Sequence, residues 1–442
     1  MPHTTPTDAM AFVQWLRSVA PYIHAFRGHT FVIAFGGEVV SDGRFVALTH
    51  DFNLLHSLGV HLVLVHGARA QIEARLNALG QASRYVKGLR VTDNTALQCA
   101  KEAVGRIRAD IETLLSTGLP GSPMAGAQIR VASGNFVIAK PMGVIEGVDL
   151  QHTGEVRKID TAAIEKRLND GEMVLLSPLG YSPTGEIFNL ALEDVATSAA
   201  IALGADKLIF LMEEDGVTDA SGKLLKELTV PEAEKLVSKQ TRLSGDVRLY
   251  LPCALRACRE GVTRAHLLSR HVEGAVLLEL FTHEGIGSMV TQTGLEKLRQ
   301  AHIEDVGGIL ALVEPLEREG VLVRRPRELL EMEISRFSVM EHDGAIIGCA
   351  ALYPFPREDA GELACLVVQQ NYRKQGCGDI LLRCIEKQAR DTGMRKLFVL
   401  TTRAAHWFIE RGFKEGAVEQ LPGQKQALYN FQRRSKVLVK RL

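Results

Sequence analysis

The chain has 442 residues, of which 46% are hydrophobic and 24% charged, and its formal net charge is zero. This length predicts two or three domains with their own cores, and the neutral balance gives no field to attract nucleic acid or a membrane surface. The seven cysteines form no Cys-x-x-Cys pair, so we predict free buried thiols and no bound metal. No secretory signal or membrane-spanning run is evident, which predicts a cytoplasmic protein.

The first predicted element is an amphipathic helix over residues 11–24. Its apolar face contains Phe12, Trp15, Leu16 and Val19. The helix precedes the first core strand and therefore lies outside the domain that follows. Two interpretations stay open: a helix folded back on that domain, or an arm that docks on another subunit.

From residue 30 to residue 268 the predicted elements alternate between apolar strands and amphipathic helices. This alternation predicts an open, mainly parallel α/β sheet with helices on both faces. In such sheets, ligands bind in the loops after the carboxyl ends of the strands. The predicted strands are residues 30–35, 60–65, 128–131, 173–177, 207–212 and 264–268. The predicted helical segments are residues 53–57, 71–79, 95–115, 162–168, 195–203 and 249–259.

Six stretches between residues 30 and 290 have a shared pattern: FVIAFGGE, VLVHGARAQI, KGLRVTD, FNLALEDVATSAAIALGADKLIFL, EEDGVTD and ACREGVTRAHLLS. They resemble the amino-acid kinase fold, and most closely acetylglutamate kinase. The resemblance implies an open sheet sandwiched by helices, with loops that serve phosphoryl transfer in the kinases.

The departures from that pattern concern the residues that handle phosphate. Ala34 stands where the kinases have a lysine, and Arg69 interrupts the glycine-rich loop after His-Gly. Ala191 replaces an asparagine near the acidic Glu193, and Tyr250 stands where a second lysine is expected. Phosphoryl transfer depends on positive charge around the transferring group. The resemblance therefore predicts a kinase fold without kinase chemistry.

The stretch AVLLELFTHEGIGSMV, residues 275–290, is predicted to be a helix running into a Gly285-Ile286-Gly287-Ser288 loop. In arginine-inhibited acetylglutamate kinases the matching segment, together with the preceding histidine and the N-terminal helix, forms the arginine site. A carboxylate can accept two parallel hydrogen bonds from a guanidinium. For Glu279, the alternative to an arginine contact is a solvated charge on the helix. For His266, the alternative is a hydrogen-bonded histidine at the end of a strand. The resemblance implies arginine contacts from Tyr22, His266, Glu279, Gly285 and Ser288.

A polar break at Thr291-Gln292-Thr293-Gly294 predicts a domain boundary. We therefore divide the chain into an N-terminal helix or oligomerisation arm (1–28), a kinase-like domain (29–293) and a C-terminal domain (294–442). In the last, His342-Asp343-Gly344 predicts a hairpin. The predicted helices are 303–312, 327–334 and 404–411, and the predicted strands are 337–341, 345–352, 363–368 and 396–400, with two closing strands.

Residues 361–390 combine an apolar strand, a turn, an Arg-x-x-Gly-x-Gly loop and a long amphipathic helix. Glycines at a helix start let the backbone approach a ligand, and the unpaired N–H groups there suit a pyrophosphate. The combination resembles the acetyl-CoA loop of GNAT-type N-acetyltransferases, which implies acetyl-CoA as co-substrate. The implied contacts are Arg373, Gly376, Cys377 and Gly378 for the pyrophosphate, and the backbone of Cys365, Leu366 and Val368 for the pantetheine arm, which acts as an extra strand.

Two residues are candidates for proton transfer in this domain. Glu362 is the only acid within an apolar run, and a carboxylate at a dry strand end suits the base that takes a proton from an incoming ammonium. The alternative is a strand-terminal glutamate that faces water. Thr401 follows the next strand and is predicted to protonate the departing CoA thiolate, with helix capping as the competing role.

The acceptor is expected to bind to cationic side chains, because the thioester of acetyl-CoA has no charge that could attract it. Arg325, Lys425 and Arg433 all fall within the C-terminal domain. A dicarboxylic amino acid has two carboxylates, and arginine can bind each as a fork. For any one of these cations taken alone, an exposed surface charge is the alternative.

The kinase-like half and the GNAT-like half together resemble bacterial N-acetylglutamate synthases. The stretches GELACLVV, KLFVLTTRAAHWF, ERGF and YNFQRRSKVLVKRL match the C-terminal half of that family, and VRRPRELLEMEI places the acceptor-binding arginine at Arg325. The resemblance implies synthesis of N-acetyl-L-glutamate and CoA from acetyl-CoA and L-glutamate, the first step of arginine biosynthesis. It also implies feedback inhibition by L-arginine and a homo-hexamer.

Three other functions are compatible with parts of the sequence. The chain could be a working acetylglutamate kinase, which the loss of the lysines disfavours. It could be a catalytically silent subunit that senses arginine. A GNAT domain can also acetylate a protein lysine, which would require an acidic docking face and indifference to free glutamate.

Overall fold

The computed structural model describes residues 6–442 except 239–242, 244, 283–284, 293–295, 343, 374–375 and 428–434. The chain forms two compact units, Met1–Gly294 and Leu295–Leu442. All seven cysteines are free, and five of them are buried, as the sequence predicts. No helix in the described ranges has both the length and the apolar character needed to cross a bilayer.

The first unit contains helices and strands in alternation. Its helices are α1 (Pro6–Phe26), α2 (Glu38–Ser41), α3 (Phe45–Ser57), α4 (Arg69–Ala78), α5 (Asn94–Leu115), α6 (Thr161–Asn169), α7 (Leu192–Ala202), α8 (Val230–Ser238), α9 (Val247–Arg259) and α10 (Ala275–Phe281). Its strands are β1 (Thr30–Phe35), β2 (His61–His66), β3 (Tyr85–Val86), β4 (Leu89–Arg90), β5 (Val131–Ser133), β6 (Val137–Pro141), β7 (Val144–Ile145), β8 (Val148–Asp149), β9 (Gly154–Ile159), β10 (Met173–Leu176), β11 (Leu179–Tyr181), β12 (Ile187–Asn189), β13 (Lys207–Met212), β14 (Glu227–Thr229), β15 (Arg264–Ser269) and β16 (Ser288–Thr291).

An eight-stranded sheet in the order β14-β16-β15-β13-β1-β2-β10-β5 forms the centre of this unit. Every neighbouring pair is parallel except β15 with β16. The central strands are apolar over most of their length because both faces are covered; all six residues of β13, including Lys207 at its start, are buried. Val32 and Ala34 of β1 pack into one core, and Phe31, Ile33 and Phe35 pack into the other. The predicted mainly parallel sheet is confirmed.

Two local predictions in the first unit are wrong, and one sheet was not predicted. The strand predicted at residues 128–131 begins only at Val131, since that edge strand pairs with β10 over Val131–Ser133. A second sheet, β12-β11-β6-β9, was not predicted, because its strands are three to six residues long and only partly buried. Ser288 does not lie in the predicted glycine loop; it is buried and begins β16.

Helix α1 has two different halves. Its C-terminal half is folded back on its own unit, where Val19 and Phe26 are buried in the core and the ring of Tyr22 meets that of Phe281 edge-on at 6.4 Å. In its N-terminal half, Phe12 and Trp15 are 58% and 53% exposed. The fold-back interpretation therefore describes the second half, and docking of the first half on another subunit stays a prediction.

The second unit is a single seven-stranded sheet with helices on both faces. Its helices are α11 (Val306–Arg318), α12 (Arg327–Met332), α13 (Cys377–Asp391), α14 (Ala405–Ile409) and α15 (Gly423–Ala427). Its strands are β17 (Glu296–Gln300), β18 (Phe337–His342), β19 (Ala345–Phe355), β20 (Ala360–Val368), β21 (Lys396–Thr401), β22 (Lys414–Gly416) and β23 (Lys436–Arg441). The order is β17-β18-β19-β20-β21-β23-β22, and β20 with β21 is its parallel pair.

The two faces of this sheet have separate cores. Leu381, Leu382 and Ile385 of α13 pack with Leu363 on one face. Val306, Ile309 and Val313 of α11 pack with Phe337 and Val339 on the other. The predicted α/β fold of the second unit is confirmed, with one additional strand, β17, at its edge.

Two neighbouring glycines of α11 give a test of this packing. A Cβ at Gly308 would lie 2.8 Å from Cγ1 and 2.9 Å from Cβ of Ile346, whereas one at Gly307 meets nothing within 4 Å. We expect Gly308→Ala to destabilise the unit by about 1–3 kcal/mol through overpacking. Gly307→Ala should stabilise it by about 0.5–1 kcal/mol, as in an exposed helix interior.

Denaturant unfolding of the full chain measures the change in the free energy of unfolding for each variant. The transition that is compared is the one in which the second unit unfolds. Equal effects of the two substitutions would contradict the described contact of α11 with β19.

Candidate active site

The two parallel strands of the second unit separate at the residue predicted to be the base. Strand β20 pairs with β21 only over Ala360–Glu362 and Lys396–Phe398. On its other side β20 stays paired with β19 as far as Val368. In the described part of the chain, the edge of β20 beyond Glu362 that faces β21 therefore has no partner strand. It can form main-chain hydrogen bonds with an extended ligand.

A β-bulge at Cys365 shapes this open edge. Cys365 has a φ of +49°, in the left-handed region, and Ala364 and Val367 pair with Ala351 and Cys349. Two residues, Cys365 and Leu366, therefore stand opposite one residue of β19. The bulge shifts the alternation of side chains between the two faces of the sheet. Cys365 therefore packs in the core that contains α11, and Leu366 packs against the core that contains α13.

Glu362 lies where the strands separate. Only 6% of the residue is exposed, so it is not the water-facing glutamate of the alternative interpretation. Its Oε2 is 2.6 Å from Nζ of Lys425, on the short helix α15. Lys425, predicted from the sequence as an acceptor-binding cation, is thus the direct ion-pair partner of the predicted base.

Tyr353 stands opposite Glu362 on β19 and organises the charges around it. The guanidinium carbons of Arg325 and Arg336 lie 5.9 Å and 4.8 Å from the centre of its ring. Its hydroxyl donates to Oε2 of Glu333 at 2.7 Å. Burial and this hydrogen bond raise the pKa of Tyr353, so the phenol stays protonated. The sequence predictions did not include Tyr353, Arg336 or Glu333.

Arg325 is a half-buried cation without a carboxylate of its own. Burial opposes its charged form, but neighbouring groups, among them Cys365, Tyr353 and Glu362, raise its pKa above the ordinary value. Its Nη1 donates to the carbonyl oxygen of Val323 at 3.1 Å. No carboxylate among the described residues forms an ion pair with this guanidinium. The site thus has a cation ready for an external carboxylate.

Thr401 and Arg433 are two further residues that were predicted for the active site. Thr401 ends β21, is 8% exposed, and its hydroxyl accepts a hydrogen bond from the backbone N–H of Ala404 at 3.0 Å. This bond closes the turn before α14, whose N-cap is Ala404, so Thr401 is not in the capping position that competed with acid catalysis. It leaves the hydroxyl proton uncommitted by that bond. Arg433 lies outside the described residues.

The predicted pyrophosphate loop leads into helix α13. Gly376 has a φ of +88°, a conformation that favours glycine, and a Cβ on Gly378 would lie 3.1 Å from Trp407. Nε of Arg373 donates to the carbonyl oxygen of Val368 at 3.1 Å, which ties the loop to the end of β20. The buried Cys377 begins the helix.

An ion pair compensates the negative charge of Asp379 in the first turn of this helix. Oδ2 of Asp379 is 3.1 Å from Nη2 of Arg411, whose guanidinium lies 3.9 Å from the ring centre of Trp407. The hydrogen bond from Arg411 lowers the pKa of Asp379. Without Arg411, this carboxylate would repel an anion at the helix N-terminus.

In the first unit, a cavity of about 200 Å³ lies at the carboxyl ends of the parallel strands, and Gly36, Gly37, Gly67 and Arg69 are part of its lining. No lysine is among the described residues that line it. Tyr250 is stacked on Phe210 at 4.7 Å, and burial raises its pKa well above the ordinary value.

The predicted arginine segment contains a buried hydrogen bond between a histidine and a glutamate. Nδ1 of His266 is 2.8 Å from Oε1 of Glu279, whose side chain is only 5% exposed, so Glu279 is not a solvated helix charge. Oε2 of Glu279 accepts from the N–H groups of Ile286 and Gly287 at 2.7 Å and 3.1 Å. Burial alone would raise the pKa of Glu279, but these bonds and His266 lower it to about 2.

The remaining predicted arginine contacts differ in position. Gly285, with a φ of +56°, lies against Glu279, where a Cβ would be 2.7 Å from Oε2. Oγ of Ser288 accepts from the N–H of Val217 at 2.8 Å, so it holds a neighbouring loop. Nε2 of His266 is buried and has no hydrogen-bond partner among the described residues.

Among the described residues, no group of three or more His, Cys, Asp and Glu side chains could hold a metal ion.

Comparison with known proteins gives a consistent family assignment for both units. Residues 29–269 match the Amino acid kinase family, and residues 307–413 match the Acetyltransferase (GNAT) family. The amino-acid acetyltransferase of Ralstonia nicotianae is 55% identical over 98% of this chain and 96% of its own length. That of Azotobacter vinelandii is 54% identical over 98% of this chain and 99% of its own.

Solved structures of a related enzyme cover both units. The N-acetylglutamate synthase from Neisseria gonorrhoeae complexed with coenzyme A and L-arginine has a TM-score of 0.88 at 39% identity, covering 98% of this chain and 99% of that one. The same enzyme complexed with coenzyme A and N-acetyl-glutamate has a TM-score of 0.62 with the same identity and coverage. By these matches the chain belongs to the amino-acid acetyltransferase family, enzymes related to N-acetylglutamate synthase in which an amino acid kinase domain precedes a GNAT acyltransferase domain.

Proposed function

We propose that this chain transfers the acetyl group of acetyl-CoA to the amino group of L-glutamate, giving N-acetyl-L-glutamate and CoA. The observation that carries the proposal is the placement of Glu362, Lys425 and the unpaired Arg325 together at the open edge of β20. They supply one base for the amine and two cations for the carboxylates of a dicarboxylic acceptor. The ligands of the related Neisseria gonorrhoeae enzyme, coenzyme A and N-acetyl-glutamate, support the same substrates here.

Acetyl-CoA binds, in this proposal, along the edge of β20 that β21 leaves open. The pantetheine arm forms main-chain hydrogen bonds with residues 365–368, and the pyrophosphate lies at the N-terminus of α13 near Gly376 and Gly378. The Asp379–Arg411 ion pair keeps that helix end free of net negative charge. The thioester then lies close to Glu362, where the two strands separate.

Between ammonium and amide the substrate nitrogen loses two protons, and the leaving sulfur takes up one. Glu362 takes a proton from the glutamate ammonium, directly or through a water molecule, and the neutral amine attacks the thioester carbonyl. A C–N bond forms, the C–S bond breaks, and the leaving thiolate is protonated. We assign that protonation to the Thr401 hydroxyl, whose bond with Ala404 uses an oxygen lone pair and not the proton. The second proton lost by the nitrogen restores this hydroxyl, and the first passes from Glu362 to solvent.

Transfer is direct and does not pass through an acetylated cysteine. Cys365 is the thiol nearest this chemistry, at the bulge of β20. Burial raises the pKa of its thiol to about 11, so the nucleophilic thiolate is scarce at neutral pH.

The acceptor carboxylates are bound by Arg325 and Lys425, with Arg433 as a third contact. Arg325 is held over Tyr353 and meets no carboxylate in the described structure. A guanidinium can form two parallel hydrogen bonds with a carboxylate, which fixes the acceptor relative to the base. A protein lysine as acceptor would bring no such carboxylates, so this arrangement favours a free dicarboxylic amino acid.

The kinase alternative has little support from the first unit. The described lining of the cavity has no lysine, Tyr250 is a neutral buried ring, and Arg90 and Arg270 are paired with Glu73 and Glu213. Arg69 is the arginine of this described lining that lies outside an ion pair. Phosphoryl transfer requires free positive charge around the transferring phosphate. We assign this unit a regulatory role, in an enzyme of arginine biosynthesis that is inhibited by L-arginine.

L-Arginine binds, in this proposal, at His266 and Glu279. Burial lowers the pKa of His266, so a neutral ring donates Nδ1–H to Glu279 and leaves the Nε2 lone pair for a donor on the ligand. Glu279 already accepts from Ile286 and Gly287, so a guanidinium has to replace at least one of these donors. Binding thus changes residues 285–287, which gives arginine two states to distinguish.

The proposed assembly is a cytoplasmic homo-hexamer in which the N-terminal half of α1 docks on another subunit. Its exposed Phe12, Trp15 and Leu16 supply the apolar surface for that contact.

Glu362→Gln should reduce turnover with L-glutamate by about 10²–10⁴ fold, the usual contribution of a general base. The carboxamide keeps the size of the side chain and removes the proton acceptor. CoA thiol release from acetyl-CoA measures the effect. Glu415→Gln, which removes an exposed carboxylate paired with Lys436, is the matched control and should leave turnover unchanged. A folded Glu362→Gln protein with turnover near that of the unmodified enzyme would remove Glu362 from the mechanism.

Arg325→Met should mainly weaken L-glutamate binding, by about 1.5–3 kcal/mol for a lost charge-assisted hydrogen bond. Steady-state kinetics would show this as a raised KM for L-glutamate with little change in that for acetyl-CoA. Arg327→Met is the control, because Arg327 is exposed and paired with Glu331 in the same segment. A change confined to the acetyl-CoA constant would place the acceptor pocket elsewhere.

Glu279→Gln should raise the L-arginine concentration needed for inhibition by about tenfold or more, since the guanidinium loses its charged acceptor. Turnover without arginine should stay within about twofold, because Glu279 belongs to the other unit. The exposed Glu273→Gln is the control. Unchanged inhibition in Glu279→Gln would exclude this pair as the arginine site.

A further inference from the structure

We infer that Lys425 blocks Glu362 in the resting enzyme and that a carboxylate of the acceptor draws Lys425 away, so that the base is released only when a dicarboxylic acceptor binds. Lys425 then determines acceptor specificity and also suppresses hydrolysis of the thioester. This inference rests on the proposed function, because it takes Glu362 as the base for the acceptor ammonium.

The resting contact occupies the position that the reaction needs. Nζ of Lys425 is 2.6 Å from Oε2 of Glu362, and only 8% of the Glu362 side chain is exposed. An incoming substrate ammonium requires a lone pair on the same carboxylate. It also carries the same charge as Lys425, so the two cations repel each other while both compete for Glu362. Lys425 therefore competes with the ammonium for Glu362 and makes it a weaker base until the ion pair opens.

Lys425 is the partner that can move. Glu362 is fixed in β20, paired with Tyr353 on one side and Phe398 on the other. Lys425 has a flexible four-carbon side chain with 27% exposure, on the five-residue helix α15. The backbone beside it is held by Gln426, whose Nε2 donates to the carbonyl oxygens of Glu419 and Leu421 at 3.0 Å and 2.8 Å. The side chain can turn toward a substrate while α15 stays in place.

The charge balance explains why two carboxylates are required. Arg325 and Lys425 are two cations that face one carboxylate, Glu362. Glu333 does not change this balance, because it accepts from Tyr353 and pairs with Arg336 at 3.3 Å. A dicarboxylic amino acid adds two carboxylates and one ammonium, so that Arg325 and Lys425 each gain a carboxylate and the ammonium meets Glu362.

An acceptor with one carboxylate leaves that balance incomplete. Its carboxylate pairs with Arg325, and Lys425 then stays on Glu362 or leaves a charge unpaired in a partly buried site, which is costly. With no acceptor, Lys425 also keeps Glu362 from activating a water molecule against the thioester. Specificity and protection of acetyl-CoA thus come from the same ion pair.

The test compares full-length Lys425→Met with the unmodified enzyme. CoA thiol release from acetyl-CoA is measured without acceptor, with L-glutamate, and with L-glutamine, which has the same length but a neutral side chain. We expect acceptor-free hydrolysis to rise at least about tenfold and the glutamate-to-glutamine ratio of kcat/KM to fall at least about tenfold, the effect of one charge-assisted contact. Lys140→Met, which removes a lysine paired with Glu155 at 2.9 Å in the first unit, is the control and should change neither.

A second measurement needs no variant and so does not depend on the folding of Lys425→Met. Glutarate, a five-carbon dicarboxylate without an amino group, should stimulate acetyl-CoA hydrolysis by the unmodified enzyme, because it draws Lys425 from Glu362 without accepting the acetyl group. Butyrate, with one carboxylate, should not.

Two results would overturn the inference. One is an unchanged hydrolysis rate and an unchanged glutamate-to-glutamine ratio in Lys425→Met, or a change in only one of them. The other is equal hydrolysis with glutarate and butyrate. Failure of the proposed function is a separate result: the unmodified enzyme would then release no CoA with L-glutamate.

Discussion

The separation of β20 from β21 beyond Glu362 is the constraint on which the chemistry of the second unit depends. The strands stay paired only over Ala360–Glu362, and the bulge at Cys365 then turns β20 so that its edge remains open. An open main-chain edge is normally a liability in a sheet, and here it is the surface that can hold an extended arm. The same point of separation places Glu362 at the end of that surface. Base and binding edge therefore arise from one irregularity in the sheet.

The first unit shows what a fold retains when its original charges are lost. The parallel sheet, the cavity at its carboxyl edge and the glycines at the strand ends all remain. Ala34 and Tyr250 are packed into the core as apolar neighbours of the sheet, so the former phosphate positions now contribute to stability. His266 and Glu279 form a buried hydrogen bond, and Glu279 also holds the loop at residues 286–287. This cluster supports the regulatory role proposed for the unit.

Much of the architecture could be predicted because it depends on local patterns. The buried strands have continuous apolar runs, and Glu362 stands out as the one acid within such a run. The Glu362–Lys425 pair could not be predicted, because it depends on where the short helix α15 lies after the chain folds. Tyr353 was missed for a similar reason: its position opposite Glu362 requires the register of β19 with β20, which the connection at residues 356–359 sets. The strand gave no alternating pattern that could have suggested it, because residues 347–352 are all buried.

The central claim is that the second unit acetylates L-glutamate with acetyl-CoA under the control of the first. Its most direct test is CoA thiol release by the full-length protein across a panel of amino acids, with and without L-arginine. The account predicts release with L-glutamate well above that with L-glutamine, L-lysine or a lysine-containing peptide, and a lower rate when L-arginine is present. No release with L-glutamate, or equal release with every amine, would contradict it.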